Sequence, residues 1–109
     1  MIHLLARRIH PTHRARVLEW LAEVDGARRD EALQSLHAEG IDHETAIILD
    51  TSDGPILVYA MQTDDVERSR RIADDSPRSI DSEHRAVMSA ADAGSADARI
   101  VLDLRPDPR

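Results

Sequence analysis

Glu44, Tyr59, Asp81 and His84 are the side chains whose types and spacing point to proton chemistry. Glu44 lies in the stretch DHETAIIL, where the next alternate positions are Ala46 and Ile48. A carboxylate drawn out of water is costly unless paired, and burial lifts its pKa toward the range useful to an acid or base. The plainer reading leaves Glu44 near a strand edge, solvated or bound to an arginine. Tyr59 is the chain's single tyrosine. Its hydroxyl can orient or protonate a substrate oxygen, or simply find a hydrogen-bond partner in a core. Asp81 and His84 stand three apart and are neighbours if helical. The carboxylate would then fix the imidazole tautomer and raise its basicity. The competing reading is an ordinary surface pair, or a satisfied core histidine, because His84 falls one turn from both Ile80 and Met88. Trp20 is expected on the flank of a helical stripe, walling a pocket or closing the core edge.

Other motifs are weak. His10 and His13 make an H-x-x-H pair, but Pro11 intervenes and no third ligand has diagnostic spacing, so no metal site is expected. There is no glycine-rich phosphate loop and no G-x-S-x-G elbow. Cysteine and lysine are absent from the 109 residues, which excludes disulfides, thiol nucleophiles and Schiff-base lysines. The formal net charge is −7, with arginines interleaved among Asp and Glu. A phosphate-backbone binder needs a clustered basic face, so no nucleic-acid partner is expected. No run approaches the roughly 20 apolar residues of a membrane span. The expectation is a soluble, cytoplasmic protein without a membrane partner.

These residues need elements to position them. Residues 2–9 (IHLLARRI) read as a strand ended by Pro11. A helix opens at Thr12 or His13, with Val17, Leu18, Leu21 and Val24 on one stripe. Leu33 and Leu36 continue that stripe poorly, so a break is expected at Asp25-Gly26, with Gly40 capping the second half. Residues 42–49 and 55–62 are strands joined by the turn Asp50-Thr51-Ser52-Asp53-Gly54. Pairing Asp50 with Pro55 puts Glu44, Ala46 and Ile48 on one face with Leu57, Tyr59 and Met61. Asp64 and Glu67 suggest a capping box, and Ser76-Pro77 suggests a helix restart with Ser76 as N-cap. Ile80, His84, Val87, Met88 and Ala91 mark the inward side of that last helix. Residues 90–98 read as a connector, Arg99–Leu104 as the final strand, and 105–109 as a loose tail.

The resulting order is β-α-β-β-α-β, one α+β domain over residues 1–104 with a four-stranded antiparallel sheet. Both central strands are apolar on both faces, unlike a sheet with one wet face. The chain's helices cover one face, so a second copy is expected on the face carrying Ile47, Ile56 and Val58.

The chain resembles the dimeric α+β barrels, ferredoxin-like domains whose sheets pack across a two-fold axis. More narrowly, it is similar to a family of small uncharacterised bacterial proteins in that group. The resemblance rests on Glu19-Trp20, Glu44, Leu57-Val58-Tyr59 and Asp81-x-x-His84, and it spans residues 2–104. It implies a pocket between sheet and helices where Glu44, Tyr59, His84 and Trp20 converge. The wider group includes cofactor-independent monooxygenases, sugar mutarotases, cyclases, isomerases and haem-degrading enzymes. An isomerase, mutarotase or cyclase working without a cofactor would need only the carboxylate, imidazole and hydroxyl this chain offers. In that reading Glu44 is base or acid, His84 its partner, Asp81 the residue orienting His84, and Tyr59 the substrate-positioning hydroxyl. The alternatives are a non-catalytic homodimer that binds a small ligand or another protein, with Glu44 and His84 a buried pair, and a cofactor-free monooxygenase.

Overall fold

The computed structural model describes residues 1–107. Strand β1 spans Ile2–Ile9, and a short 3-10 turn at Pro11–His13 leads into helix α1, Arg14–Asp25. Helix α2 is Arg29–Glu39, followed by β2, Ile41–Thr51, and β3, Gly54–Thr63. Helices α3 (Val66–Asp75) and α4 (Ser79–Ala91) then lead to β4, Asp92–Ala96. The four strands make one antiparallel sheet in the order β2-β3-β1-β4.

The β2–β3 hairpin has the register its sequence dictates. Asp50 pairs with Pro55, and Ala46 lies opposite Tyr59. Gly54 takes φ +112°, which a side chain would strain, and the Thr51 hydroxyl donates to the Gly54 carbonyl at 2.7 Å. Because side chains alternate across a strand, this register puts Glu44, Ala46, Ile48, Leu57, Tyr59 and Met61 on one face. Leu5, opposite Tyr59 on β1, shares it.

That face meets the helices. Val17 and Trp20 of α1, Ile80 and Ala91 of α4, Leu57 of β3 and Ile9 of β1 are all buried. Val17, Ile9, Leu57 and Ala91 form a continuous cluster, against which Leu21, Ile48, Tyr59, Val87 and Met88 pack. Trp20, expected on the flank of α1, is only 1% exposed and among the most deeply buried side chains. Helix α1 stops at Asp25 and α2 resumes at Arg29, as the change of phase at Asp25-Gly26 requires. Gly40 closes α2 in the left-handed region at φ +73°.

Three local expectations need correction. The last strand is Asp92–Ala96, not Arg99–Leu104. Helix α4 ends beside the end of β1, where the His10 N–H donates to the Ala91 carbonyl at 2.9 Å, so the next residues already reach the sheet. Small size lets them pair there: Ala96 lies opposite Ala6, and Gly94 takes φ +122° opposite Arg8. Second, Asp65 rather than Asp64 caps α3, accepting from the Arg68 N–H at 3.0 Å. Third, α4 begins at Ser79 with Arg78 as its cap. Ser76 instead accepts from the Arg78 N–H at 3.2 Å and donates its own hydrogen to Asp81. Residues 97–107 carry no regular structure. Residues 108–109, the end of the expected tail, lie outside the described residues. No helix among the described residues is long and apolar enough to cross a membrane.

Candidate functional site

Three elements bring Trp20, His84 and Tyr59 into one hydrogen-bonded chain. The Trp20 indole N–H donates to His84 Nδ1 at 2.9 Å. Indole nitrogen is a donor only, so Nδ1 must present its lone pair, and the hydrogen of the neutral imidazole sits on Nε2. Nε2 lies 3.2 Å from the Tyr59 hydroxyl and therefore donates to it. The tyrosine's own hydrogen is left with the Met88 sulfur at 3.8 Å, a weak acceptor, or with anything that enters beside it. The ring of Tyr59 meets that of His84 edge-on, with centroids 6.0 Å apart.

Electrostatics agrees with this assignment. Burial pushes the His84 pKa down and holds the ring neutral. Protonating Nδ1 would also set two donors face to face. Burial, reinforced by the charge of Glu44, pushes the Tyr59 hydroxyl up, so it stays protonated and donates. Trp20 is itself fixed: the Arg28 guanidinium lies 5.6 Å from its ring centroid and is held by Glu31 at 2.9 Å and by Glu83.

Asp81 does not orient His84 through a hydrogen bond. Its carboxylate accepts from Ser35 of α2 at 2.6 Å and from Ser76, joining α2 to the entry of α4. Its charge favours the imidazolium, against the desolvation that dominates. Trp20 takes the orienting role, from a helix 64 residues away in sequence.

Glu44 lies on the same sheet face, opposite Met61 and two pairs along from Ala46–Tyr59. It is more than a third exposed in the single chain, yet the walls around it desolvate the carboxyl and raise its pKa. Desolvation is the sole cause of that shift, with no arginine or donor among the described residues offsetting it. Glu44 and His84 are not a bonded pair, because both imidazole nitrogens are committed to Trp20 and Tyr59.

Glu39 was not singled out by its sequence pattern. It ends α2, is 9% exposed, and its pKa is pushed up to about 7 by burial and by the charges of Asp81 and Glu44. A buried polar knot fixes it. The Ser69 hydroxyl donates to the Glu39 carbonyl at 2.6 Å, and the Thr63 hydroxyl lies 3.0 Å from both Ser69 Oγ and the Gly40 carbonyl.

These groups face an open cleft of about 980 Å³ between the sheet and the helices. Tyr59, Glu44, Glu39 and His84 are among its polar groups, with Asp81, Arg70 and Arg85, and Leu5, Leu21, Leu33, Ile48 and Met61 are among its apolar walls. Leu5 and Leu33, which line the cleft, are 40% and 51% exposed. The volume is within the range of small-molecule sites. The arrangement can hold a ligand oxygen on the Tyr59 hydroxyl and place a carboxylate beside it. Among the described residues no group of three His, Cys, Asp or Glu side chains is placed to hold a metal ion.

No curated protein and no solved structure matches the chain. One family model does, over residues 1–107. The chain therefore belongs to the Family of unknown function (DUF6176).

Proposed function

We infer that this protein is a homodimeric, ferredoxin-like α+β protein of the dimeric barrel type that binds a small molecule in the cleft and moves a proton without a cofactor. The observation that carries the reading is the directional chain Trp20→His84→Tyr59, ending on a hydroxyl that donates only to the weakly accepting Met88 sulfur and shares its sheet face with a partly desolvated carboxylate. A carbonyl oxygen of the ligand accepts from Tyr59 and is polarised by it. The Glu44 carboxylate takes the proton from the adjacent carbon, and the electron pair moves onto the carbonyl oxygen as an enolate held by the Tyr59 hydrogen bond. In a conjugated enolate, return of that proton from Glu44 to the γ-carbon completes an isomerisation. His84 positions Tyr59 and stays neutral throughout.

The strand order β2-β3-β1-β4 supports the ferredoxin-like reading, since β1 and β2 then run parallel on either side of β3. Ile47 and Leu49, 50% and 52% exposed on the face away from the cleft, support a dimer through that face. The test is deuterium exchange. A panel of enolisable ketones and lactones is incubated in D₂O, and α-proton loss is followed by NMR. Accelerated exchange in the wild type, abolished in a folded Glu44→Gln variant, is the expected result. Exchange that is equal in both proteins removes Glu44 from the chemistry. Binding without any exchange leaves a ligand-binding protein and no enzyme.

A further inference from the structure

The segment after β4 leaves large apolar side chains in the open. Val101, Leu102 and Leu104 are 86%, 72% and 78% exposed, and Ile100 is 42% exposed. Four large apolar side chains within five residues, unburied, require a cover. The segment alternates as a strand does: Ile100, Leu102 and Leu104 on one side, Val101, Asp103 and Arg105 on the other.

Its own sheet cannot take it. Continuing the β4–β1 register beyond Ala96–Ala6 sets Ile100 against Ile2, so Leu102 and Leu104 would overrun the beginning of β1. The other edge of the sheet is β2, eleven residues long and paired only with β3. A long edge strand carrying Ile47, Ile48 and Leu49 is a template for an added strand.

We propose that residues 99–105 of each chain add as an antiparallel strand to the β2 edge of a second copy, setting the partner's Arg105 opposite Glu44. The sequences select that register. With the partner's Arg99 opposite Asp50, the partner's Ile100, Val101 and Leu102 fall opposite Leu49, Ile48 and Ile47. The partner's Leu104 then meets Thr45. Three apolar pairs form and the partner's Arg105 meets Glu44, while the partner's Arg99 joins the Asp50 carboxylate that Arg14 of Asp50's own chain already holds at 2.8 Å. A shift by one residue breaks both charge pairs and turns Leu102 to the wrong face. The partner's Val101, Asp103 and Arg105 then flank the cleft on its open β2 side. The exchange is isologous, so each chain gives and receives one strand.

This rests on the homodimer and on the Glu44 cleft inferred above. It adds that the cleft is walled by the second subunit, whose arginine supplies the cation that Glu44 lacks. The chain has no cysteine, so placed thiols report cleanly. Two single-cysteine full-length chains, Ile47→Cys and a tagged Leu102→Cys, are mixed and treated with a short bis-methanethiosulfonate linker. The proposal expects a covalent heterodimer as the main product. Links only between two Ile47→Cys chains would leave a sheet-face dimer standing and overturn the strand exchange. An intramolecular link in the Ile47→Cys/Leu102→Cys double variant would show the segment folded onto its own β2, and would overturn it too. Absence of every link overturns both the exchange and the dimer. A second measurement is sedimentation. Arg105→Glu is expected to weaken the dimer about tenfold or more, and Glu44→Arg/Arg105→Glu to restore it. An unchanged dissociation constant in Arg105→Glu refutes the pairing with Glu44.

Discussion

Replacing Trp20 with Phe tests the polarity of the hydrogen-bond chain on which Tyr59 depends. The change keeps most of the buried ring and removes only the N–H that faces His84 Nδ1 at 2.9 Å. One lost hydrogen bond costs roughly 1 kcal/mol, and an acceptor left without a partner in a mostly enclosed site adds about 1 kcal/mol more. Trimming the indole to a phenyl also leaves a small void. The expected destabilisation is about 2–3 kcal/mol by chemical denaturation. The imidazole should also change its behaviour. In the wild type the folded pKa of His84 is depressed by burial, so its contribution to stability is complete above the ordinary imidazole range. That contribution is lost as pH falls through that range toward the folded value. Without the opposing N–H, the His84 pKa should rise and this pH dependence should flatten. Nitrogen-detected NMR of the histidine rings reads the tautomer directly, with Nε2 protonated in the wild type. A wild-type ring protonated on Nδ1, or an unchanged His84 titration in Trp20→Phe, would rule out the Trp20→His84→Tyr59 polarity.

Glu39→Gln should stabilise the protein above neutral pH. The folded pKa of about 7 lies above the ordinary carboxyl value, so Glu39 weakens the fold as pH rises through that interval, and the penalty is complete above pH 7. Allowing for solvent that reaches the carboxyl through the cleft, denaturation at pH 8 should show a gain of about 2 kcal/mol that vanishes near pH 4. Thr63→Val removes a hydroxyl that ties β3 to Gly40 and Ser69, and should cost roughly 2 kcal/mol in the same assay. Gly40→Ala meets no steric obstacle, since nothing lies within 4 Å of an added Cβ, so its cost of about 1 kcal/mol should come from the left-handed backbone alone. A much larger loss would mean that the end of α2 is packed more tightly than described.

Much of the cleft's sheet side can be read from sequence because the hairpin leaves little freedom. Asp50 to Gly54 fixes the turn, Pro55 fixes the first pair, and parity then carries Glu44 and Tyr59 to one face. His84 lands inward because it shares a stripe with Ile80 and Ala91, both buried. What sequence does not reveal is which element meets which. The donor to His84 comes from α1, and no spacing links residues 20 and 84. Asp81 looked like that partner because i,i+3 neighbours are the contacts a sequence exposes, while Ser35 and Ser76 had no reason to compete for it. Glu39 before Gly40 looks like a solvated helix end. It is buried because α2 runs into β2 with Gly40 alone between them, and α3 closes over the junction. A Gly-capped helix ending directly at a strand is the signal that could have found it. β4 was missed because strand propensity favours Ile100 to Leu104, whereas position beside β1 favours the small residues that come first.

The most direct measurement is a crystal structure of the full chain soaked with the enolisable carbonyl panel. Ligand density is expected in the cleft, with an oxygen within hydrogen-bond distance of the Tyr59 hydroxyl and the Glu44 carboxylate beside the adjacent carbon. A cleft closed by Leu33 packing onto Leu5, with Tyr59 sealed against Met88, would contradict it.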